Sequence, residues 1–237
     1  MKFKIQWHER LPSTNTFLKE RLAAGQELPS GTVVAARQQT QGRGRHNRTW
    51  LSSSGQNLTF SLLLRGNHDL RHLPSASMAA AIAVANQLEA EGLAPSLKWP
   101  NDVLVKERKI CGILSEATDD GLIIGIGLNV NMQETGQIDQ PATSLLIETG
   151  TARDCDDLLE RLLTHLSRHL DAWAQGGFPR IRKDWESRVG NLGKPVTVRD
   201  GQESHTGILS GFGKEGELLL REDSGNIRAI WAGDLAI

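Results

Sequence analysis

The residues best suited to chemistry lie in an arginine-rich stretch, "TQGRGRHNRTW", which covers residues 40–50. Glycines allow a backbone to approach a ligand closely, and the guanidinium groups of Arg43, Arg45 and Arg48 can each bind a carboxylate or phosphate through two hydrogen bonds. Trp50 ends the stretch and offers a face for packing or for a flat ring. Neither G-x-x-x-x-G-K-S/T nor a G-x-G-x-x-G after a strand occurs. The stretch predicts an anion-binding loop of another design; the alternative is a solvated, mobile loop.

A second stretch, "KWPNDVLVKERKICGIL", begins at Lys98. Pro100 predicts an extended turn, because the residue before a proline is disfavoured in the helical region. Asn101 and Asp102 then lie at the end of a strand, where they can form hydrogen bonds or contact Mg²⁺ carried by phosphates. Lys98 and Lys109 bracket the hairpin, and each can place a positive charge beside an anion. Either lysine alone would be interpreted as an ordinary surface charge.

A third stretch, "GIGLNVN", places Asn129 and Asn131 at the end of an apolar run that contains Gly125 and Gly127. Glycine weakens a strand and often marks the close approach of a ligand or of another backbone. The two asparagines can therefore face a ligand, or they can simply form turns where the strand ends.

The hydrophobic periodicity predicts the elements that must position these three stretches. We expect a short helix capped near Ser13, strands at 31–39 and 57–65 (the second half-buried), a helix at 75–92 capped by Ser75, a hairpin around 106–109, a central strand at 121–132, a loop at 133–150 and a long helix at 155–175. From about Gly190 the pattern changes to short β runs separated by turn residues. This predicts two domains, 1–189 and 190–237, the second a partly open β-barrel.

The composition argues against a dedicated nucleic-acid binder. Lys and Arg number 27 against 28 Asp and Glu, which gives a net charge of -1. The two cysteines show no disulfide or metal spacing, and neither a signal peptide nor an apolar run of membrane length is present. We expect a soluble cytoplasmic protein.

Other polar residues are weaker candidates. His165 and His169 stand four apart, as do His68 and His72, but neither pair has the glutamate of H-E-x-x-H, which favours solvated or packing histidines. Ser13 has no visible His/Asp arrangement that would make it a nucleophile, so a helix cap or ligand donor is the better interpretation.

The motifs "STN", "GRGRxxRxW", "KWPND", "RKICGIL" and "GIGLNVN", in this order, resemble the biotin protein ligases from about residue 10 to the C-terminus. The resemblance implies an α+β fold: a mixed central sheet with flanking helices, similar to class II synthetases, followed by an SH3-like β-barrel. Many members carry an N-terminal helix-turn-helix. Because "STN" starts at Ser13, the sequence resembles the form that lacks this DNA-binding domain.

The resemblance implies a reaction in two steps. Biotin and Mg-ATP would form biotinyl-5'-AMP and pyrophosphate, and a lysine of the biotin carboxyl carrier protein, a subunit of acetyl-CoA carboxylase, would then take the biotinyl group. ATP and Mg²⁺ are thus co-substrates, and neither a tightly bound cofactor nor a resident metal is expected. A homodimer is compatible with the resemblance, whereas DNA and membrane are not expected as partners.

The resemblance also implies residue roles. The catalytic residues would be Arg43, Lys98, Asp102 and Lys109. Biotin would be bound by Ser13, Thr14, Asn15, Gln39, Arg43, Gly44, Arg45, Lys109 and Gly112. ATP would be bound by Arg45, Trp50, Asn101, Gly125, Gly127, Asn129 and Asn131. Some members place a Trp before the long helix to cover adenine; here "QPATSLL" has Ala142, so the sequence departs from the family at this position and does not predict that stacking.

Two alternatives stay open at this point. A lipoate or octanoyl ligase or transferase belongs to the same superfamily, and an octanoyl transferase would need a nucleophilic cysteine. Cys111 is the only plausible one, but its apolar surroundings predict an inert thiol. The second alternative is a nucleic-acid binder that uses the three arginines, and its affinity would fall steeply with salt.

Overall fold

The computed structural model describes residues 1–66, 73–135 and 140–236. Its larger sheet has seven strands in the order β1-β2-β3-β7-β6-β5-β4, with β1 and β2 parallel and the other neighbours antiparallel. These strands are β1 (Lys4–Leu11), β2 (Thr32–Gln39), β3 (Asn57–Arg65), β4 (Pro95–Lys98), β5 (Asp102–Val105), β6 (Arg108–Thr118) and β7 (Gly121–Asn129). Strand β7 lies in the middle of the sheet, as predicted, whereas β1 was not predicted.

The prediction that the strand at 57–65 is half-buried is wrong, because β3 is buried on both faces. Leu58, Phe60 and Leu62 face the main hydrophobic core, and Leu63 faces a smaller core on the other side of the sheet. The second face is covered because the helix that starts after Ser13 packs across it.

Within the described ranges, five α-helices flank the sheet: α1 (Thr14–Ala23), α2 (Leu73–Ala90), α3 (Leu145–Thr149), α4 (Cys155–Gly176) and α5 (Phe178–Glu186). Ser13 caps α1 through its hydroxyl, as predicted. Ser75 does not cap α2, because the helix begins at Leu73; the Ser75 hydroxyl instead accepts a hydrogen bond of 3.0 Å from Trp173 Nε1 of α4. None of the described helices has the combination of length and apolar character that crossing a membrane requires.

The predicted loop at 133–150 is wrong in its last part, because α3 forms there. Ser144 caps it by accepting a hydrogen bond of 3.1 Å from the Ile147 amide, and Gly150 ends it with φ 70°. Helix α5 was not predicted either; it begins after Gly177 and buries Phe178 and Trp185.

The C-terminal part forms a five-stranded antiparallel sheet in the order β11-β10-β9-β8-β12. Its strands are β8 (Pro195–Asp200), β9 (Glu203–Phe212), β10 (Leu218–Arg221), β11 (Ile227–Ile230) and β12 (Asp234–Ala236). The predicted α+β class with a small C-terminal β domain is confirmed.

The small sheet packs closely on the rest of the chain. The ring of Phe212 stands edge-on to Trp185, with centroids 5.9 Å apart, and Trp99 Nε1 donates a hydrogen bond of 3.1 Å to the Gly216 carbonyl. The buried apolar residues of this sheet belong to the same hydrophobic core as those of the larger sheet. The small sheet is therefore held firmly enough to contribute residues to a shared site, and the division at 189/190 stays a prediction.

Candidate active site

A pocket of about 1080 Å³ lies between the larger sheet, the arginine-rich stretch 40–50 (the arginine loop) and the C-terminal sheet. Every site residue predicted from the sequence, except Asn131, lines it: Ser13, Thr14, Asn15, Gln39, Arg43, Gly44, Arg45, Trp50, Lys98, Asn101, Asp102, Lys109, Gly112, Gly125, Gly127 and Asn129. The fold thus gathers segments that are far apart in the chain around one cavity.

Asn131 does not line the pocket. Its amide nitrogen donates to the carbonyls of Gly55 (3.2 Å) and Arg153 (2.9 Å), and its oxygen accepts from the Arg153 amide at 2.9 Å. Both ends of the side chain therefore bond to backbone groups, those of Gly55 before β3 and of Arg153 before α4, and Asn131 stabilises these two connections.

One end of the pocket is built from uncharged polar groups at the start of α1. Gln39 Oε1 accepts a hydrogen bond of 2.7 Å from the Thr14 amide. The hydroxyl of Ser61, on β3, lies 2.6 Å from Thr14 Oγ1 and 2.5 Å from Asn15 Oδ1. Gln39 Oε1 is occupied by Thr14, whereas the Gln39 amide NH₂ donates to no other described residue and is available to a ligand. Sequence reasoning missed Ser61, although a serine flanked by Phe60 and Leu62 within the strand was a usable signal.

Glu116 is a second residue that sequence reasoning missed. Its carboxylate accepts hydrogen bonds from Lys19 Nζ (2.6 Å), Asn15 Nδ2 (2.7 Å) and Arg43 Nη2 (2.8 Å). Burial alone would raise the pKa of Glu116, but the hydrogen bonds from Lys19 and Asn15 and the charge of Arg43 lower it below its ordinary value. Side chains alternate along a strand, so Glu116 shares the pocket face of β6 with Gly112. The ionised carboxylate fixes Arg43 at the base of the arginine loop.

The floor of the pocket is formed by glycines of β6 and β7. Gly112 and Gly127 are paired in the sheet, and the indole of Trp50 lies against both: a Cβ at Gly127 would come within 2.3 Å of Trp50 Cε2. A Cβ at Gly125 would come within 2.3 Å of Asn15 Oδ1. The space that these glycines leave is therefore filled by side chains of the chain itself. Trp50 Nε1 is buried and has no hydrogen-bond partner among the described residues, so it is available to a ligand.

The opposite end of the pocket is basic. Lys109 Nζ lies 2.8 Å from Asp102 Oδ1, and Arg45 Nη1 donates a hydrogen bond of 3.2 Å to Asn101 Oδ1. Burial lowers the pKa of Lys98 and that of Arg45. A lowered pKa means that the surroundings do not fully compensate these cations, and an incoming anion would do so.

The C-terminal sheet contributes Asp234, a third residue that sequence reasoning missed. Its carboxylate accepts a hydrogen bond from Arg48 Nη2, and Arg45 Nη1 lies 3.6 Å from its Oδ1. Asp234 and Arg48 are 186 positions apart, and no local pattern in the sequence connects them.

Asn129 and Ala142 lie where the segment that precedes α3 meets β6 and β7. Asn129 Nδ2 donates a hydrogen bond of 3.0 Å to the Thr143 carbonyl. The amide of Lys109 donates to the Pro141 carbonyl at 2.9 Å, which brings the methyl group of Ala142 to the pocket wall. Ala142 offers no ring on which an adenine could stack.

Cys111 and His169 do not line the pocket. Cys111 is fully buried in the main core, and burial raises the pKa of its thiol. His169 Nε2 lies 2.7 Å from Asn86 Nδ2, which confirms the packing interpretation, whereas His68 and His72 lie outside the described residues. Within the described ranges, no group of three or more His, Cys, Asp and Glu side chains is arranged to hold a metal ion.

Comparisons with known proteins define the class to which this fold and pocket belong. Residues 7–132 match the biotin/lipoate A/B protein ligase family, and residues 192–236 match the biotin protein ligase C-terminal domain. The chain belongs to this family of ligases, so the predicted family and enzyme class are confirmed.

Individual relatives cover nearly the whole chain. It is 33% identical over 229 residues to the biotin–[acetyl-CoA-carboxylase] ligase of Mycobacterium tuberculosis, which covers 94% of this chain and 85% of that protein. It is 34% identical over 240 residues to the bifunctional ligase/repressor BirA of Bacillus subtilis, with 98% and 73% covered. The structure of the biotin protein ligase from Aquifex aeolicus in complex with biotin and ATP superposes with a TM-score of 0.86 at 34% identity, covering 98% and 97%.

Proposed function

We propose that the chain activates biotin with ATP to form biotinyl-5'-AMP and transfers the biotinyl group to one lysine of the biotin carboxyl carrier protein. The observation that carries this proposal is the polarity of the pocket. An uncharged hydrogen-bonding end near Gln39 and a basic end near Lys109 share one cavity. A molecule with a neutral polar ring at one end and a carboxylate at the other fits this arrangement.

In this proposal, the neutral end binds the ureido group of biotin. Thr14, Asn15 and Ser61 form a connected hydrogen-bond network. The free NH₂ of Gln39 and the buried side chains around it supply donors and acceptors in fixed orientations. A preorganised polar site of this kind discriminates against ligands that lack the matching groups, because its own groups would then be left unpaired.

The first step joins two anions, so the basic end must offset their repulsion. A carboxylate oxygen of biotin attacks the α-phosphorus of ATP, and the bond from that phosphorus to the bridging oxygen breaks as pyrophosphate leaves. Lys109 and Arg45 would stabilise the charge on the carboxylate and the α-phosphate, because buried cations act strongly where water is excluded. Lys98 would contact the phosphates.

The second step transfers the acyl group. The ε-amine of the carrier lysine attacks the carbonyl carbon of the mixed anhydride, the carbon–oxygen bond to AMP breaks, and the amine loses a proton as the amide forms. Asp102 lies at the pocket beside Lys109 and is the carboxylate placed to take that proton.

Mg²⁺ enters this scheme as part of the ATP substrate. Asp102 and Asp234 are the pocket-lining carboxylates among the described residues, and cations of the chain already pair with both. Phosphate oxygens and water would therefore supply most of the ligands of the ion, as is usual for Mg²⁺ bound with nucleotides. We likewise expect a cytoplasmic protein that modifies the carboxylase carrier without contacting DNA, and we leave the homodimer as a prediction.

The reaction can be tested directly by mass spectrometry. The protein is mixed with biotin, Mg-ATP and a purified carrier domain, and we expect a mass gain equal to one biotinyl group on one carrier lysine. A carrier with that lysine changed to arginine and a reaction without ATP should show no gain. Equal labelling with octanoate or lipoate in place of biotin would favour the other branch of the family and contradict the proposal.

A further inference from the structure

The carboxylate of Asp234 joins the arginine loop to the C-terminal sheet. Asp234 begins β12, which pairs with β8, and it lines the wall of the pocket. Besides the hydrogen bond from Arg48 Nη2, its Oδ1 lies 3.6 Å from Arg45 Nη1 and 3.8 Å from His46 Nε2. Three basic side chains of one short loop therefore converge on a single acidic group of the other sheet.

The base and the tip of the arginine loop are held in different ways. At the base, Arg43 pairs with Glu116 at 2.8 Å, and Trp50 packs on the glycine floor. At the tip, the Arg48 side chain is 59% exposed. Among the described residues, Asp234 is the only carboxylate within ion-pair distance of the tip arginines. The C-terminal sheet thus supplies the ionic anchor of the tip.

We infer that Asp234 is a positioning residue, which holds the tip of the arginine loop over the pocket so that Arg45 faces the phosphates of ATP. This inference rests on the function proposed above. The geometry favours an effect on ATP over one on biotin, because Arg45 also contacts Asn101 at the basic end of the pocket. Arg43 instead pairs with Glu116, which also accepts a hydrogen bond from Asn15 at the other end of the pocket, and Asp234 forms no ion pair with Arg43 among the described residues.

The alternative role for Asp234 is competition with the phosphates of ATP, and it predicts the opposite change in ATP affinity. If the carboxylate competed with phosphates for the arginines, removing its charge would tighten ATP binding. One carboxylate shared between Arg45 and Arg48 cannot cancel the charge of both, so the cluster still attracts a polyanion while Asp234 fixes its geometry. We therefore expect weaker ATP binding when the carboxylate is neutralised.

The experiment compares Asp234→Asn and Asp234→Glu with a matched control, Glu222→Gln. Glu222 also pairs with an arginine of the C-terminal sheet, Arg228, but it does not line the pocket. With AMP or pyrophosphate release as the assay, Asp234→Asn should raise the KM for ATP by about three- to tenfold, as expected for loss of a partly exposed ionic network. The KM for biotin should stay within about twofold, and Asp234→Glu and the control should behave like the parent.

A double-mutant cycle with Arg48→Gln shows whether Asp234 acts through the loop. Arg48→Gln should raise the KM for ATP to a similar extent, and the double variant should be little worse than either single variant. An unchanged or lowered KM for ATP in Asp234→Asn overturns the inference. If that variant does not fold, Arg48→Gln decides, because its side chain is mostly exposed. A parent protein that forms no biotinyl-5'-AMP would overturn both proposals. If the parent forms it and the KM for ATP of Asp234→Asn equals that of the parent, only the inference about Asp234 is overturned.

Discussion

Lys109 reaches Asp102 across a glycine. Asp102 is paired with Gly112 in the sheet, and the lysine side chain folds back over that glycine to place Nζ 2.8 Å from Asp102 Oδ1. A Cβ at Gly112 would lie 3.0 Å from Lys109 Cε, which is tighter than an ordinary contact. The glycine in "KICGIL" therefore serves the position of the lysine, in addition to any approach of a ligand.

Removing the charge of Lys109 should damage the first chemical step. We expect Lys109→Gln to lower the rate of adenylate formation by about 100-fold or more, the usual effect of losing one preorganised electrostatic group. The measurement is single-turnover formation of biotinyl-5'-AMP. Lys106→Gln is the control: Lys106 lies in the same hairpin and outside the pocket lining, its side chain is exposed, and its buried partner Glu148 keeps an ion pair with Arg108. Similar rates for Lys109→Gln and the control would contradict the assigned role.

Adding a methyl group at Gly127 should displace Trp50. A Cβ there would lie 2.3 Å from Trp50 Cε2, so Gly127→Ala should destabilise the protein by about 1–3 kcal/mol and weaken ligand binding. Thermal unfolding and ligand titration measure the two effects. Gly190→Ala is the control, because the nearest atom to its new Cβ would be 3.7 Å away. Combining Gly127→Ala with Trp50→Leu should recover stability; if it does not, the clash with the indole is not the cause.

A buried histidine connects α2, α4 and α5. Arg188 Nη2 donates a hydrogen bond of 3.0 Å to Asn86 Oδ1, which turns the Asn86 amide nitrogen toward His169 Nε2. Nε2 must then be an unprotonated acceptor. Burial lowers the pKa of His169 below 6.5, although Asp184, 3.9 Å from Nδ1, acts in the opposite direction.

This histidine should make the protein less stable in weak acid. Because the folded-state pKa lies below the unfolded value of about 6.5, the stability is complete above that pH and is lost as the pH falls through the folded-state pKa. We expect the urea midpoint to decline below about pH 6.5, and His169→Gln to flatten this decline. His165→Gln, four residues earlier on α4, should keep it. Identical pH profiles for the parent and His169→Gln would contradict the assignment.

Cys111 should be dispensable for catalysis. Cys111→Ser should keep kcat within about twofold while losing about 1–3 kcal/mol of stability, because a hydroxyl replaces an apolar thiol in a fully buried site. Turnover and chemical unfolding of the same preparation separate the two effects. A folded but inactive Cys111→Ser protein would revive the octanoyl transferase alternative. If Cys111→Ala is then inactive as well, the loss of activity comes from the missing thiol and not from the new hydroxyl.

Much of this fold could be predicted because its signals are local. The leucine periodicity that ends at Trp173 predicts α4, and the cap at Ser13 predicts α1. The errors have physical causes. Helix α3 is only five residues long, and its helical signal is too short to stand out from a loop. The burial of Leu63 depends on α1 crossing the second face of the sheet, which no pattern within β3 can show.

The sequence by itself determined which side chains could bind anions, since the types and spacing of arginines, lysines and glycines limit the chemistry of each segment. Only the tertiary structure decided which of them meet. It brought Asp234 to Arg48 and Glu116 to Arg43, and it used both ends of Asn131 in a backbone connection. Carboxylate partners on other elements are set by strand order and sheet packing, and such long-range pairings leave no periodic or local mark in the chain.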